Sequence, residues 1–147
     1  IPSSADEVAE VLAGDCLAVR VRLLNRAITA IYDDALRPLG LTAGQLNVLV
    51  MIKRNGPVSP TEIAERLHME KSTVSRNVAR MRDNGWLTTA ESVPGQRQEL
   101  TLSRKGSALL VRSYSAWHKA QADAGIALGR GGAESILRTA NSVWGEP

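Results

Sequence analysis

The segment from Lys71 to Arg80 concentrates side chains that could bind nucleic acid. Its sequence, Lys-Ser-Thr-Val-Ser-Arg-Asn-Val-Ala-Arg, places two valines four residues apart. On a helix this spacing turns both valines towards the core and leaves the polar side chains largely in solvent. Small hydroxyl groups at a helix N-terminus let the backbone approach a phosphate, and the helix dipole there favours an anion. Two arginines one turn apart could each bond guanine in bidentate fashion. The predicted contact residues of this segment are Lys71, Ser72, Thr73, Ser75, Arg76 and Arg80.

The charge distribution supports this interpretation without deciding it. The chain has 147 residues and a net charge of +3, and the part from Lys53 to Arg112 holds 11 Lys and Arg against 6 Asp and Glu. A basic centre in a chain whose remainder is slightly acidic suits a polyanionic partner. The alternative is an ordinary surface helix with solubilising charge. The elements that flank the segment must therefore decide between a DNA-binding helix and a surface helix.

The elements around the segment are those of a helix-turn-helix. A capping-box pattern lies upstream at 59–62, with serine as the cap, proline at the first helical position and glutamate completing the box. We predict a short helix from there to about His68 and, after a brief turn, a second helix from Lys71 to about Asn84. The start of the short helix adds two candidate DNA contacts, Ser59 and Thr61.

A β-hairpin is predicted after the second helix. The run Trp86–Ala90 is rich in aromatic and β-branched residues, Pro94-Gly95 signals a turn, and Gln98–Leu102 supplies the second strand. Two short helices joined by a tight turn and followed by a hairpin form a winged helix-turn-helix, in which the second helix reads DNA. The predicted inner stripe of that recognition helix is Val74, Val78 and Met81.

Long amphipathic helices are predicted at both ends of the chain, because apolar residues recur there at spacings of four and three. A capping-box pattern at Thr42 and Gln45 begins a further helix after the first of them. The order is helix, helix, short helix, helix, hairpin, helix, helix, so the fold class is mainly α with a small β-hairpin. The two long stripes are Leu17, Val21, Leu24, Ile28, Ile31 and Ala35, then Leu110, Tyr114, Trp117, Gln121, Ala124 and Leu128, with a last helix at about 133–144.

The terminal helices also predict a homodimer. One chain of this length need not bury two extra long helices against itself, and Tyr114, Trp117 and Trp144 add large apolar area. Pairing these helices across a two-fold axis would set two recognition helices about one DNA turn apart. The alternative is a monomeric helical core.

A set of short motifs follows in fixed order between Leu41 and Gly106. They are Leu41-Thr42-x-x-Gln45-Leu46, Glu62-Ile63-Ala64-x-x-Leu67, Lys71-Ser72-Thr73-Val74-Ser75-Arg76, Asn84-Gly85-Trp86-Leu87 and Leu100-Thr101-Leu102-Ser103-x-x-Gly106. In order and spacing these motifs resemble the MarR family of bacterial transcription regulators, and the resemblance extends into the first long helix.

This resemblance implies a homodimer joined by the first and last helices, a wing that enters the minor groove and a palindromic operator. We expect 1–147 to form a single MarR-like domain, with the winged-helix DNA-binding lobe at 42–102 and dimerisation helices at 1–41 and 103–147. The expected function is sequence-specific transcription regulation, as a repressor that binds double-stranded DNA and is released by a small ligand.

The wing departs from the family pattern. The resemblance implies an Asp-x-Arg signature just before the second strand, whereas the aligned stretch at 93–97 is Val-Pro-Gly-Gln-Arg, with no Asp. Arg97 is the candidate minor-groove contact, since arginine suits a narrow A·T-rich groove.

Two switches are compatible with the sequence. The resemblance implies a small aromatic or phenolic ligand between the dimerisation helices and the DNA-binding lobe. The alternative is an oxidant-sensing thiol at Cys16, because a helix N-terminus can lower a thiol pKa and Arg20 lies one turn along. The commoner fate of a lone cysteine is inert packing.

Other function classes find little support. No Gly-rich phosphate loop, HExxH, CxxC or nucleophile–base pair is present, so we expect no enzyme and no cofactor. The isolated His68 and His118 predict no metal site. No apolar run reaches about 18 residues, and a single cysteine fits a reducing cytoplasm. A winged-helix protein-interaction module without DNA binding remains an alternative, but it predicts an apolar or acidic recognition face.

Overall fold

The computed structural model describes residues 1–90, 95 and 98–145. The described residues form seven α-helices and one antiparallel hairpin, which confirms the predicted fold class. A single 3-10 turn, Arg37–Leu39, links the second and third helices. The elements are α1 (Ala5–Asp15), α2 (Leu17–Leu36), α3 (Ala43–Asn55), α4 (Pro60–Arg66), α5 (Lys71–Asp83), β1 (Leu87–Thr89), β2 (Leu100–Leu102), α6 (Arg104–Leu128) and α7 (Gly132–Trp144).

Besides the short 3-10 turn, helix α1 is the described element that was not predicted from the sequence. A start signal was present, because the Ser4 hydroxyl accepts the backbone N–H of Glu7 at 3.1 Å. The segment is short and acidic, and none of its residues is buried. The strands were predicted in the right places but are shorter than expected, with three residues each.

The predicted helix starts are confirmed by their caps. At α3 the Thr42 hydroxyl accepts the Gln45 N–H at 3.2 Å, and the Gln45 side chain accepts the Thr42 N–H at 3.1 Å. At α4 the same reciprocal pair joins Ser59 and Glu62, at 3.2 and 2.8 Å. Such a cap contributes about 0.5–2 kcal/mol, so both helices begin where the sequence sets them.

The core lies between α3, the helix pair α4–α5 and the start of α6. Helix α3 is buried along most of its length. The three predicted inner residues of α5, Val74, Val78 and Met81, are all buried against it. The largest apolar side chains with almost no exposure are Leu36, Leu49, Ile52, Ile63, Met81, Leu100 and Leu109.

The hairpin has a third partner that local sequence does not reveal. β1 and β2 pair in the register Leu87 with Leu102 and Thr89 with Leu100. Val58, just before α4, forms an isolated bridge with Leu100 through hydrogen bonds of 3.2 and 2.7 Å. The hairpin is therefore tied by its backbone to the start of the helix-turn-helix.

The terminal helices carry most of the exposed apolar surface. The pair α2 and α6 pack along each other, and the Tyr32 hydroxyl donates to the Gln121 side chain across them. Among the described residues no single helix is long and apolar enough to cross a membrane. Helix α2 with its 3-10 turn and helix α3 have the required length and composition only when taken together, and the two are bent by 77° relative to each other. The exposed apolar residues of these helices are Val8, Val11, Leu12, Leu17, Val19, Val21, Leu23, Leu24, Val111, Tyr114, Trp117, Ile126, Ile136, Leu137, Val143 and Trp144.

Candidate nucleic-acid interface

The turn between α4 and α5 sets the direction of α5. After α4, His68 adopts a left-handed backbone with φ of 50°, and the Met69 N–H donates to the Ala64 carbonyl at 3.0 Å. A left-handed residue just past a helix C-terminus satisfies the last carbonyls and turns the chain away. The second helix therefore starts at Lys71, as predicted, on a new axis.

The N-terminus of α5 lacks the side-chain cap that its neighbours have. Glu70 occupies the cap position, and its side chain makes no capping hydrogen bond. By contrast, hydroxyl side chains of Thr42, Ser59 and Ser103 cap α3, α4 and α6. The first N–H groups of α5 therefore have no side-chain acceptor, which suits an anionic partner at the positive end of the helix.

The outer face of α5 carries hydroxyl and guanidinium groups. The Arg76 guanidinium donates to the Thr73 hydroxyl at 3.3 Å, one turn earlier, which holds it along the helix surface. Thr73 is half-buried, whereas the other predicted contact residues of this helix are exposed. The exposed set is Lys71, Ser72, Ser75, Arg76 and Arg80, and the structure brings them together on one helix.

The remaining predicted contacts are placed differently. Ser59 is only 5% exposed, and its hydroxyl is taken up by the α4 cap. Thr61 is half-buried in the first turn of α4. The third, Arg97, lies outside the described residues.

Arg82 is a residue of this interface that the sequence reading missed. Its guanidinium donates to the Thr89 hydroxyl at 3.2 Å and to the Gln98 side chain at 3.3 Å. Thr89 is the last residue of β1 and Gln98 precedes β2, so the last turn of α5 is tied to the wing. Helical spacing could have suggested this role, because it places Arg82 on the flank of α5, between the buried stripe and the outer face.

The geometry around Cys16 does not provide the predicted thiolate partner. Cys16 is half-buried at the N-cap position of α2, and its side chain caps no N–H. The Arg20 guanidinium donates instead to the carbonyls of Ala13 and Gly14, at 2.9 and 3.0 Å. Arg20 therefore joins α2 to the end of α1.

The histidines lie in ring contacts. The His68 ring lies 4.0 Å from the Trp144 ring between centroids, and His118 lies 6.0 Å from Tyr114. Within the described ranges, no group of three or more His, Cys, Asp or Glu residues could hold a metal ion.

Two apolar pockets lie beside the long helices. One, of about 640 Å³, lies between α3 and α6, with Tyr114 and Trp117 in its wall. The other, of about 310 Å³, lies between α2, α6 and α7, and its polar lining side chains are Asn25, Tyr32 and Gln121. Burial raises the pKa of the Tyr32 phenol above its ordinary value, and the hydroxyl donates to the Gln121 side chain.

Known proteins with a similar sequence or fold match this chain. The MarR family model matches residues 39–98. An uncharacterised HTH-type transcriptional regulator of Bacillus subtilis (strain 168), YwoH, is 29% identical over 80 residues, which is 54% of this chain and 58% of that protein. The chain therefore spans little more than half the length of this curated relative.

Solved structures resemble the chain over most of its length. The M. tuberculosis transcriptional regulator MosR, in complex with DNA, is 27% identical and superposes with a TM-score of 0.75 over 88% of this chain and 94% of its own. A mutant E. coli MarR complexed with operator DNA, 18% identical, shares the fold with a TM-score of 0.76 over 90% of this chain and 96% of its own. The MarR family model thus matches the winged-helix part of the chain, and the fold of solved MarR-type regulators is shared along both terminal helices.

Proposed function

We propose that this protein is a transcription regulator that binds double-stranded DNA in a sequence-specific manner as a homodimer, and that it represses from a palindromic operator. The observation that carries the proposal is the combination at α5 of an N-terminus without a side-chain cap and an exposed face of hydroxyls and arginines. An interaction module without DNA binding would not need this combination.

Phosphate binding is assigned to the start of α5. Uncapped N–H groups and the helix dipole attract a phosphate, and small side chains at Ser72 and Ser75 let the backbone approach it. Lys71 adds a full positive charge at the same end. These contacts would fix the register of the protein on the duplex without reading its sequence.

Base reading is assigned to Arg76 and Arg80. Both are exposed, and they lie one turn apart on the outer face of α5. An arginine that bonds both acceptors of guanine discriminates against other bases by about 1–3 kcal/mol. Arg76 is the stronger candidate, because its hydrogen bond to Thr73 already restricts its orientation.

The wing contact is assigned to Arg97, with Arg82 as its support. The bonds from Arg82 to Thr89 and Gln98 hold the end of β1 and the approach to β2 against α5. We propose that Arg97 enters the minor groove beside the site read by α5. Ser59 is assigned a supporting role in the α4 cap, and Thr61 remains a candidate phosphate contact.

The homodimer is supported by the exposed apolar faces of the terminal helices, which a single copy leaves uncovered. We accordingly propose a winged-helix lobe at 42–102 and dimerisation helices at 1–41 and 103–147. A small aromatic or phenolic effector would suit the pocket between α3 and α6, because Tyr114 and Trp117 offer flat apolar surfaces where the two parts meet. Because a transcription regulator must reach chromosomal DNA, we propose that the protein is cytoplasmic.

Selection of bound duplexes from a random pool tests this function. The proposal predicts enrichment of a palindrome whose half-sites lie about 10–10.5 base pairs apart from centre to centre, because a two-fold dimer presents two recognition helices. Enrichment of a single unpaired half-site would contradict the dimer. A pool that stays random after repeated rounds would contradict sequence-specific binding.

A further inference from the structure

His68 occupies a backbone conformation that favours glycine. Its φ is 50°, and among the residues that the structure describes it is the one non-glycine residue with a positive φ. In this region the Cβ of an L-residue crowds the following carbonyl oxygen, so glycine is the usual residue just past a helix C-terminus. Histidine therefore carries a conformational cost here, and its side chain is expected to make a contact that offsets the cost.

The imidazole ring of His68 makes such a contact with the last helix. Its centroid lies 4.0 Å from that of the Trp144 ring, and the two ring planes are tilted by 37°. Trp144 is the final residue of α7. Aromatic rings that approach this closely attract each other and remove apolar area from water. The contact joins residues 76 positions apart, so it depends on where the fold places α7.

Helix α7 reaches the turn because it folds back along α6. A three-residue turn at 129–131 joins the two helices, and they pack on each other. Helix α6 starts directly after the hairpin, so α7 runs back towards the winged-helix lobe. The end of α7 then lies on the turn between α4 and α5.

The ring contact is a direct route from the terminal helices to the recognition helix. Helices α4 and α5 otherwise pack mainly on each other, on α3 and on β1. Helix α5 begins at Lys71, three residues after His68, so the backbone of this turn sets its direction. A ring that holds the turn therefore holds α5 at a fixed angle to α7.

The two rings lie outside the core of the lobe. Trp144 is 67% exposed, and His68 is exposed as well. Neither belongs to the buried apolar cluster beneath α4 and α5. Loss of either ring should leave the lobe folded, so that an effect on DNA binding can be separated from unfolding.

We propose that Trp144 is a positioning residue for operator binding, and that it acts through His68 to fix the orientation of α5 relative to the terminal helices. This role rests on the proposed dimer and its binding to DNA. A two-fold dimer must place two recognition helices on half-sites of fixed spacing. With the turn held, that geometry exists before DNA is bound, so binding does not have to order it.

Affinities for the selected operator and for random duplex test the contact. Trp144→Ala and His68→Gly each remove one of the two rings. Each should raise the Kd for the operator by about fivefold, which is roughly the worth of one aromatic contact. The Kd for random duplex should change by less than about twofold, because non-specific binding needs no fixed spacing of the recognition helices.

A double variant tests whether the two residues act through each other. Trp144→Ala combined with His68→Gly should raise the operator Kd no further than either change alone. Trp144→Phe keeps an aromatic ring and should restore most of the affinity. Losses that add up in the double variant would show two independent effects and would contradict the proposal.

Urea unfolding separates positioning from stability. His68→Gly should unfold at a higher urea concentration than Trp144→Ala, because both lose the ring contact but glycine also relieves the left-handed backbone. The two variants should nevertheless bind the operator equally. If operator affinity instead follows the urea midpoint, the rings only stabilise the fold and the positioning role is wrong.

Val143→Ala is the matched control, since it removes apolar area from an exposed residue beside Trp144. It should leave the operator Kd within about twofold of the parent value, as surface substitutions usually do. Equal losses in Val143→Ala and Trp144→Ala would assign the end of α7 to another contact and overturn the proposal.

The outcomes also separate this role from the function on which it rests. A parent chain that binds no duplex overturns the proposed DNA binding and the positioning role together. A parent chain that binds its operator, with both ring variants binding it equally well, overturns the positioning role alone.

Discussion

An alanine at position 106 is expected to lower the free energy of unfolding by about 2 kcal/mol, within the range of roughly 1–3 kcal/mol for overpacked sites. Gly106 lies in the first turn of α6, directly against the backbone of Trp86. An added Cβ would clash with the Trp86 carbonyl oxygen and would lie 2.9 Å from its carbonyl carbon and 3.2 Å from its Cα. Backbone atoms cannot rotate away as a flexible side chain can.

The surroundings of Gly106 leave the hairpin little freedom to move. The Trp86 carbonyl accepts the Ser103 N–H at 2.9 Å, and the Ser103 hydroxyl donates to the Gly85 carbonyl at 2.6 Å. The same serine caps α6 through the N–H of Gly106, at 2.9 Å. Relieving the clash requires that some of these hydrogen bonds break. The contact between the wing and α6 should therefore weaken as well.

Urea unfolding of the Gly106→Ala variant measures this effect, and Gly125→Ala is the matched control. Gly125 lies in the same helix, where an added Cβ meets nothing within 4 Å. Its replacement should stabilise the helix by about 0.5–1 kcal/mol, because glycine loses more backbone entropy than alanine on folding. Equal stability changes in the two variants would contradict the close approach at Trp86.

Loss of the Arg76 side chain is expected to weaken binding to the selected operator by about 1–3 kcal/mol for each half-site, which is roughly 5- to 150-fold per half-site. The loss should fall on one base pair of each half-site, because bidentate bonding to guanine is specific for that base. Preference at that position should therefore relax in Arg76→Ala, while preference at the other positions is kept.

Titration of labelled duplexes that differ at single positions measures this change, with Arg138→Ala as the control for loss of one positive charge. Arg138 is exposed on α7, outside the winged-helix lobe. Its loss should change affinity only slightly and equally for all duplexes. If Arg76→Ala weakens every duplex to the same extent, Arg76 binds phosphate, and its assignment as a base reader is wrong.

Features encoded by nearby residues were predictable from the sequence. The capping boxes at Thr42 and Ser59 depend on side chains three residues apart, and both form as predicted. The inner stripe of α5 depends on helical spacing, and Val74, Val78 and Met81 are buried. Local chemistry of this kind fixes the element order and therefore the fold class.

Features that depend on distant contacts were not predictable in the same way. The bridge from Val58 to Leu100 joins residues 42 positions apart, and no local sequence pattern predicts it. The bonds of Arg82 to the hairpin and of Arg20 to the end of α1 likewise depend on how elements pack. Ser59 was predicted correctly as a cap, but the sequence alone did not show that the capping residue would be buried away from solvent.

The salt dependence of binding to random duplex DNA tests the central claim most directly. On random duplex DNA, where the bases that Arg76 and Arg80 would read are mostly absent, these arginines can pair with phosphates as Lys71 does. The six exposed cations of two subunits should then make log K fall against log salt concentration with a slope of about −5. Removing Arg76 and Arg80 together should flatten that slope by about 3–4, because four of these cations are lost from the dimer. A slope near zero, or no binding at low salt, would contradict DNA binding through α5 and favour a protein-interaction module.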